Sequence, residues 1–346
     1  MTPYKFFTMN QEFICGIFGV MECHIKWNTL SLSQWQKKFQ IIQNSNILQS
    51  YQYAQAAAKT YAQKAQWGLI QMDGVDAGIV QIVENKILFG AVHAVILDRG
   101  PLWFDGFGSA VHIKLFFEAF HQKFPKRWGR KRRIIPEITG GGAIEGILKQ
   151  VGFEKKQDMP AYQTIIWDLE QADDVAMKAL KSGWRGSLNK AIKAQEAKDV
   201  TIEWASLNTD KTKEYMAFKQ HYAVDKAMKN YAGISPKLLD NLALFSTRSA
   251  PIIIGSVKEN GDVIAQILIL THGRCATYQV GWSSDIGRKY CAHHLLLWQA
   301  RDVLKQYGIT TLDLGGINDT DQNAKGLSDF KRGTGGRAIT LAGHYA

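Results

Sequence analysis

Cysteine is scarce in this sequence, and its scarcity excludes a small fold held together by disulfides. Four cysteines occur in 346 residues, at Cys15, Cys23, Cys275 and Cys291. They show neither the paired CxxC spacing of zinc and redox sites nor the density of a disulfide framework. We therefore expect reduced thiols, as in a cytoplasmic protein.

Hydrophobic runs that could cross a membrane are also lacking. The apolar stretch at residues 13–21 (FICGIFGVM) is shorter than the roughly 20 residues that a bilayer requires. It also lacks a strongly basic leader and a clear cleavage site. We interpret it as a buried strand or as part of an N-terminal extension over residues 1–24, and we expect no transmembrane segment.

Positive charge, in contrast, is in excess. Lysine and arginine number 42 against 31 aspartates and glutamates, which gives a formal net charge of +11. This balance favours a polyanionic partner such as RNA, or a substrate that carries phosphates. The alternative is a basic protein whose charge serves only solubility.

A cluster of basic residues surrounds one tryptophan at residues 126–133 (KRWGRKRR). Such clusters bind nucleic-acid phosphates while the aromatic ring stacks on a base. The alternative is a solvated loop that precedes a strand at residues 133–138. The candidate RNA contacts are Lys126, Arg127, Arg130, Lys131 and Arg132.

Length and hydrophobic periodicity predict two α/β units. A chain of 346 residues is long enough for two domains with separate cores. Short apolar segments predict two antiparallel meanders, the first with turns at Asp73-Gly74 and Glu84-Asn85 and the second with its hairpin at Asn260-Gly261. Serine or Ser-Pro signals predict helix starts. The predicted strands lie at residues 67–72, 77–83, 87–95, 251–258, 263–271 and 274–280, and the predicted helices start at Ser31 or Ser33, Ser109, residue 176 and Ser235. We expect an α/β (α+β) fold divided into residues 25–157 and 158–346.

A loop followed by a helix, at residues 287–306, carries information about the substrate. Backbone N–H groups at a helix start bind anions. In GNAT acetyltransferases the equivalent loop reads Arg/Gln-x-x-Gly-x-Gly/Ala, and its glycines let the backbone approach the pyrophosphate of coenzyme A. Here residues 288–293 read RKYCAH, with the basic Arg288 but no glycine, which argues against coenzyme A. His293 and His294 lack a partner cluster for a metal, so we expect them to pack or to cap the helix, and we predict no metal site.

Several short motifs, in order along the chain, resemble those of the Fem-type peptidoglycan bridge-forming aminoacyltransferases and their FemAB-like relatives. The motifs in the second half are Trp184-Arg185 with Asn189-Lys190-Ala191, Tyr278 with Gly281, Asp313-Leu314-Gly315-Gly316, and Phe330-Lys331 with Gly335-Gly336. Those in the first half are Leu48-Gln49-Ser50, Asp73-Gly74 and Arg99-Gly100-Pro101. The resemblance runs from about residue 25 to the end.

The resemblance implies two tandem GNAT-like domains, each a mixed, mostly antiparallel sheet flanked by helices. It implies transfer of an amino acid from aminoacyl-tRNA to an amine of the stem peptide of a UDP-linked or lipid-linked peptidoglycan precursor. Aminoacyl-tRNA is then a co-substrate, no cofactor is needed, and the basic cluster is assigned to tRNA. The implied location is the cytoplasm, with peripheral contact at the inner face of the membrane.

Candidate site residues follow from the chemistry and from the resemblance. Attack of an amine on an ester builds negative charge on the carbonyl oxygen, which a fixed cation stabilises. Lys331 is the candidate for that cation or for binding a substrate phosphate, and Asp313 is the candidate base unless it only orients the turn. The candidates for substrate binding are Arg185, Asn189, Lys190, Tyr278, Phe330 and Arg288.

Two other functions stay open. One is a GNAT-type N-acyltransferase that uses acyl-coenzyme A or another acyl thioester on a small amine or a polysaccharide precursor. The other is an RNA-binding protein on a degenerate transferase fold, in which Lys331 has no catalytic task.

Overall fold

The computed structural model describes residues 21–87, 91–207, 212–229, 233–322 and 324–346. The apolar stretch at residues 13–21 therefore lies almost wholly outside the described residues. Within the described ranges the chain forms two mixed sheets flanked by helices, and in each sheet most neighbouring strands are antiparallel. This confirms the predicted fold class.

The first sheet is built from six strands in the order β1-β2-β3-β4-β6, with β5 paired to β3. All of its pairs are antiparallel except β4 with β6. The strands are β1 (Cys23–Trp27), β2 (Lys64–Met72), β3 (Val75–Ile87), β4 (Val92–Gly100), β5 (Leu102–Trp103) and β6 (Arg130–Pro136), and the helices are α1 (Leu32–Gln40), α2 (Tyr51–Tyr61), α3 (Ala110–Lys123) and α4 (Gly142–Gln150).

The second sheet has seven strands in the order β13-β7-β12-β11-β10-β9-β8. Its strands are β7 (Gln163–Asp168), β8 (Thr201–Leu207), β9 (Ile252–Glu259), β10 (Asp262–His272), β11 (Cys275–Ser283), β12 (Thr311–Gly316) and β13 (Arg337–Thr340). Its helices are α5 (Asp173–Ala179), α6 (Ser182–Glu196), α7 (Lys213–Lys229), α8 (Pro236–Leu244), α9 (Asp285–Lys289), α10 (Ala292–Gln306) and α11 (Lys325–Arg332). None of the helices in the described ranges is long and apolar enough to span a membrane.

Local signals set several helix starts where the sequence predicted them. The Ser31 and Ser109 side chains each accept a hydrogen bond from the third backbone N–H of their helix and complete a capping box. Ser235 caps α8, whose first position is Pro236. The hairpin between β9 and β10 also turns at Asn260-Gly261, as predicted, with both residues at positive φ.

Three secondary-structure predictions were wrong. A turn was expected at Glu84-Asn85, but β3 continues to Ile87, because buried Glu84 bonds to His93 and Gln66 on the neighbouring strands. The strand predicted from residue 133 starts at Arg130, so part of the basic cluster lies in a sheet. The predicted helix from residue 176 is two helices, α5 and α6.

The end of the chain returns to the first sheet. Ile134 and Tyr345 exchange backbone hydrogen bonds at 3.0 and 2.8 Å, and Tyr345 is 1% exposed within the first core. The C-terminal residues therefore pack on the first sheet although β13, just before them, belongs to the second.

Candidate active site

An opening between two parallel strands marks the centre of the second sheet. β11 pairs with β12 only from Cys275↔Thr311 to Thr277↔Asp313. Beyond this point β11 stays paired with β10 as far as Ser283, while β12 pairs with β7. We call the opening between residues 278–283 and 314–316 the wedge. It brings the Tyr278 and Gly315-Gly316 motifs together.

Lys331 reaches the floor of the wedge from α11. Its Nζ donates a hydrogen bond to the Gly316 carbonyl oxygen at 2.8 Å, and a Cβ placed on Gly315 would lie 3.5 Å from this nitrogen. The side chain is 5% exposed, although lysine is almost never buried in proteins. Burial lowers the pKa of Lys331 to about 8, while the charge of Asp313 opposes that shift. The amine is therefore still mostly protonated at neutral pH.

A cluster of aromatic rings fixes the helix that carries Lys331. Phe330 packs against Trp184 at 6.0 Å between ring centroids and against His294 at 5.0 Å. At the end of α11, a Cβ on Gly333 would lie 2.4 Å from Cδ1 of Trp184. The Phe330 side chain is thus part of the packing between α11, α6 and α10, beside the wedge.

His293 and His294 pack as predicted from the sequence. His293 Nε2 lies 2.9 Å from the Trp282 carbonyl oxygen. Burial lowers the pKa of His294 to about 4, so the ring is neutral at physiological pH. Within the described residues, no group of three or more His, Cys, Asp or Glu side chains is placed to bind a metal.

The Asp313 carboxylate is fully engaged in a buried network. It accepts hydrogen bonds from Arg99 Nη1 at 2.8 Å, from the Gly315 N–H at 2.8 Å, and from the Thr164 hydroxyl. Burial favours its neutral form, but Arg99, Thr164 and Gly315 outweigh that effect and lower the pKa of Asp313. A carboxylate with a lowered pKa is a weak proton acceptor. These contacts favour a structural role for Asp313 over the alternative of a general base.

Arg99 carries this network from the first sheet to the second. Its guanidinium forms two hydrogen bonds with Glu137, at 2.7 and 2.8 Å, besides the bond to Asp313, and it lies 5.0 Å from the centroid of the Tyr162 ring. A chain of contacts therefore runs from Arg99 through Asp313 and the Gly315 N–H to the Gly316 carbonyl that holds Lys331. The sequence offered no signal for the Arg99–Asp313 pair, because its members lie 214 positions apart.

The first-half motif Leu48-Gln49-Ser50 supports the backbone around Arg99. The Gln49 side chain donates to the carbonyl oxygens of Gln81 and Asp98, at 2.9 and 2.8 Å. Asn46 donates to the Arg99 carbonyl at 2.7 Å. Arg99 itself has a φ of 54°, in the left-handed region that non-glycine residues seldom adopt. Asn46 and Gln49 thus hold the backbone at Asp98 and Arg99, from which the Arg99 side chain reaches Asp313.

Tyr278 lies in the wall of the wedge. Its side chain is 6% exposed, and burial raises its pKa well above the ordinary value for tyrosine. A Cβ at Gly281 would come within 2.2 Å of the Tyr278 hydroxyl oxygen, so only glycine fits there in this arrangement. The predicted Tyr278 and Gly281 motif is therefore a pair in direct contact.

The remaining substrate-binding candidates lie around this centre rather than in it. Arg185 on α6 donates to the Leu180 carbonyl oxygen at 3.0 Å and joins α6 to the end of α5, while Asn189 and Lys190 are exposed one turn further on. Arg288 is exposed on α9, where it bonds to Asp285 and to the Ser283 carbonyl. Among the described contacts, none joins these four side chains directly to Lys331.

The loop at residues 288–293 differs from a coenzyme A loop in its backbone as well as its composition. The short helix α9 occupies its first part, and α10 starts at Ala292 without a side-chain cap. Between them Cys291 has a φ of 55°, in the left-handed region that favours glycine. A side chain thus stands at a position where glycine is expected.

The basic cluster divides into an exposed and a buried part. Lys126, Arg127 and Lys131 are exposed, whereas Arg130 is half-buried and bonds to the Pro125 carbonyl at 2.9 Å. Arg132 is 7% exposed and lies 4.4 Å from the Phe153 ring centroid. Its guanidinium also bonds to the Gly152 carbonyl at 3.1 Å. Contact with tRNA stays a prediction, and the geometry restricts it to the exposed members.

Comparison with known proteins agrees with the motifs. Residues 241–346 match the FemAB family. A crystal structure of FemX is 16% identical, with a TM-score of 0.74 over 92% of this chain and 96% of that one. A conserved protein of unknown function from Bacteroides thetaiotaomicron VPI-5482 is 13% identical, with a TM-score of 0.56 over 93% and 98% of the two chains. No curated protein matches the sequence.

At these identities the likeness to solved structures is a likeness of fold, and the family match rests on the segment that contains the wedge, α10 and Lys331. The two findings confirm the resemblance that the motifs indicated. The chain therefore resembles FemAB proteins over residues 241–346 and is similar in fold to FemX.

Proposed function

We propose that this protein is an acyltransferase that moves an amino acid from aminoacyl-tRNA to an amine on the stem peptide of a peptidoglycan precursor. The observation that carries the proposal is the buried ammonium of Lys331 at the floor of the wedge, bonded to the Gly316 carbonyl at 2.8 Å. The family match over residues 241–346 supports the same class of reaction.

The chemistry assigned to Lys331 is electrostatic. When the acceptor amine attacks the ester carbonyl, negative charge develops on the carbonyl oxygen, and a preorganised cation in a water-poor site stabilises it. A lysine ammonium has three N–H donors, and within the described residues one of them is used, by the Gly316 carbonyl. The remaining donors fit the developing oxyanion. Removing one such donor typically costs about 100- to 1000-fold in turnover.

Positioning supplies the rest of the rate enhancement. The contact between the Trp184 and Phe330 rings fixes α11, the helix that carries Lys331. The Arg99–Asp313 network fixes the Gly315-Gly316 turn. The acceptor amine forms the new amide bond as the ester bond to the ribose breaks, and the amine proton goes to the leaving ribose oxygen, directly or through solvent, since Asp313 is engaged elsewhere. Asn189, Lys190 and Arg288 are the proposed contacts of the acceptor's phosphates.

One observation favours a second candidate, an N-acyltransferase that uses an acyl thioester. The N-terminus of α10 begins beside the wedge without a side-chain cap, and its N–H groups suit a phosphate. Against this candidate, the preceding loop contains a short helix and Cys291 in place of glycines. We rank transfer from aminoacyl-tRNA first for that reason.

A transfer experiment with competing donors separates the two candidates. The full-length protein is incubated with a mixture of charged tRNAs and a UDP-linked or lipid-linked pentapeptide, and the products are weighed by mass spectrometry. We expect a mass gain equal to one or more amino acid residues. A parallel reaction with acetyl- and succinyl-coenzyme A is expected to give none.

Acyl transfer from coenzyme A alone would reject the first candidate in favour of the second. No mass gain with either donor, together with retained binding of RNA, would support an RNA-binding protein without catalysis. A mock purification from cells that lack the protein is the control for contaminating transferases.

A further inference from the structure

One end of the first sheet exposes apolar side chains in a cluster. β3 ends at Ile87 and β4 begins at Val92, and these two residues are directly paired. Trp128 stands beside them, because the loop that carries it is joined to β4 by a hydrogen bond from the His93 N–H to the Gly129 carbonyl, at 2.8 Å. The three side chains are 55%, 39% and 88% exposed, in that order.

The geometry of the sheet places part of this cluster on one face. Residues paired across an antiparallel ladder project from the same face, so Ile87 and Val92 are neighbours there. Ala94 follows Val92 on that face and is paired with Lys131. An apolar surface with Lys131 at its border therefore lies at this end of the sheet. We call this surface the tip patch. It consists of Ile87, Val92 and Trp128 and of the four basic residues Lys86, Lys126, Arg127 and Lys131.

Basic side chains lie on both faces of this end of the sheet: Lys131 is on the face of Ile87 and Val92, whereas Lys86, next to Ile87 in β3, projects from the opposite face. The basic residues of the tip patch are Lys86, Lys126, Arg127 and Lys131, all of them exposed to solvent. Among the described residues, two carboxylates form ion pairs with these side chains. Glu84, with a 1% exposed side chain, is 3.2 Å from Lys86, and Glu154 is 3.6 Å from Lys126 in a pair whose side chains are both 71% exposed. Four cations against two anions, one of them buried, leave the patch positive.

We propose that the tip patch docks the protein onto a membrane surface that contains anionic phospholipids. Tryptophan suits the interface between headgroups and acyl chains, since its ring is apolar and its indole N–H is polar. Ile87 and Val92 bury their side chains among the acyl chains, and the lysines and Arg127 attract the anionic headgroups. The formal charge of +11 on the whole chain adds long-range attraction.

The structure favours lipid over RNA as the partner of this surface. The RNA contact predicted from the sequence uses the charges and the tryptophan ring. RNA binding does not require the two exposed aliphatic side chains beside that ring, Ile87 and Val92. A membrane uses all three apolar groups and the basic border together. The proposal does not depend on which reaction the wedge catalyses.

Co-sedimentation with vesicles tests the proposal. The full-length protein is mixed with vesicles of phosphatidylcholine alone, or of phosphatidylcholine with phosphatidylglycerol, and the bound fraction is measured against lipid concentration. We expect binding only with phosphatidylglycerol. The triple variant Lys126→Gln/Arg127→Gln/Lys131→Gln is expected to bind roughly 100-fold more weakly, at about fivefold for each charge. Trp128→Ser is expected to lose roughly tenfold or more.

Matched controls lie elsewhere on the same protein. Val75 begins the strand that Ile87 ends and is 59% exposed, so Val75→Ser removes an equally exposed apolar side chain from the opposite end of β3. The variant Lys37→Gln/Lys149→Gln/Lys237→Gln removes three exposed lysines on α1, α4 and α8. Val75→Ser is expected to leave binding unchanged, and the lysine control to lower it less than threefold. Circular dichroism confirms folding, and exposed positions are expected to tolerate these changes.

Three results would overturn the proposal. One is equal binding to neutral and anionic vesicles, and another is a loss of binding in the control variants as large as in the tip-patch variants. The third is a selective loss of tRNA binding in Trp128→Ser, measured by mobility shift, with vesicle binding unchanged. That last result would show that RNA, and not a membrane, binds the tip patch.

Discussion

Replacement of Arg99 by methionine tests the network that joins the two sheets. Methionine has a similar length and no charge, so Arg99→Met removes the partner of two carboxylates while largely keeping the volume. The side chains of Arg99, Glu137 and Asp313 are 7%, 17% and 6% exposed, and their contacts are 2.7 to 2.8 Å. Removing one member of a buried ion pair costs about 3 to 5 kcal/mol, because a charge is left uncompensated in a medium of low polarity.

The expected loss for Arg99→Met is about 4 kcal/mol in the free energy of unfolding, measured by urea denaturation at pH 7. Domains typically have about 5 to 15 kcal/mol in total, so the variant should fold but with a much lower midpoint. The double variant Arg99→Met/Asp313→Asn is expected to recover part of the loss, since it removes the more deeply buried of the two orphaned charges. Asp313→Asn alone serves as the third corner of the cycle.

The pH dependence gives a second test of the same pair. The pKa of Asp313 is lowered in the folded protein, so its interaction stabilises the fold above the unfolded pKa of about 4. That stability is lost as the pH falls through the lower, folded pKa. The difference between the native protein and Arg99→Met should therefore shrink in acid. A loss below about 1 kcal/mol at pH 7, or simple additivity with Asp313→Asn, would refute the reasoning.

Three further predictions concern α11 and the loop before α10. Burial lowers the pKa of Lys331 to about 8, whereas the arginine of Lys331→Arg stays charged at all accessible pH values. If the charge is what acts, transfer by the native protein should decline as the pH rises through about 8. Transfer by the arginine variant, however slow, should not decline, in initial rates measured from pH 6 to 10. Gly333→Ala places a Cβ 2.4 Å from the Trp184 ring and should lower the free energy of unfolding by about 1 to 3 kcal/mol in urea titrations. The control Gly326→Ala, in α11, has open space around the new Cβ and should leave that free energy unchanged or slightly higher. Equal effects of the two changes would reject the packing argument. Cys291→Gly relieves a left-handed backbone at φ 55° and should raise the free energy of unfolding by up to about 1 kcal/mol, so a clear decrease would show that the thiol side chain stabilises the loop.

What could be predicted from the sequence was mostly local. The caps at Ser31 and Ser109 act within one helical turn, and Asn260-Gly261 forms its own hairpin, so a few residues contain the whole signal. The motif around Lys331 was also found, because its glycines and the Phe-Lys pair are close together in the chain. Its burial was not foreseen, since a stretch rich in glycine and charge is typical of an exposed loop.

Long-range partners account for what was missed. Glu84 continues a strand through a polar pair because His93 and Gln66 satisfy its carboxylate from neighbouring strands. Asp313 was considered as a base because nothing local indicates that Arg99 neutralises it. In both cases the sequence suggests an exposed charged residue. The fold buries it instead, because a partner on another strand satisfies its charge.

The central claim is that the charge of Lys331 acts in catalysis more than in folding. The most direct measurement compares kcat/KM for transfer from charged tRNA, together with the free energy of unfolding, in the native protein and in Lys331→Met. The account predicts a fall of roughly 100-fold or more in kcat/KM, with unchanged or higher stability, because the variant no longer buries an ammonium. Transfer within about threefold of the native rate, or a loss of activity that only follows a loss of folded protein, would contradict it.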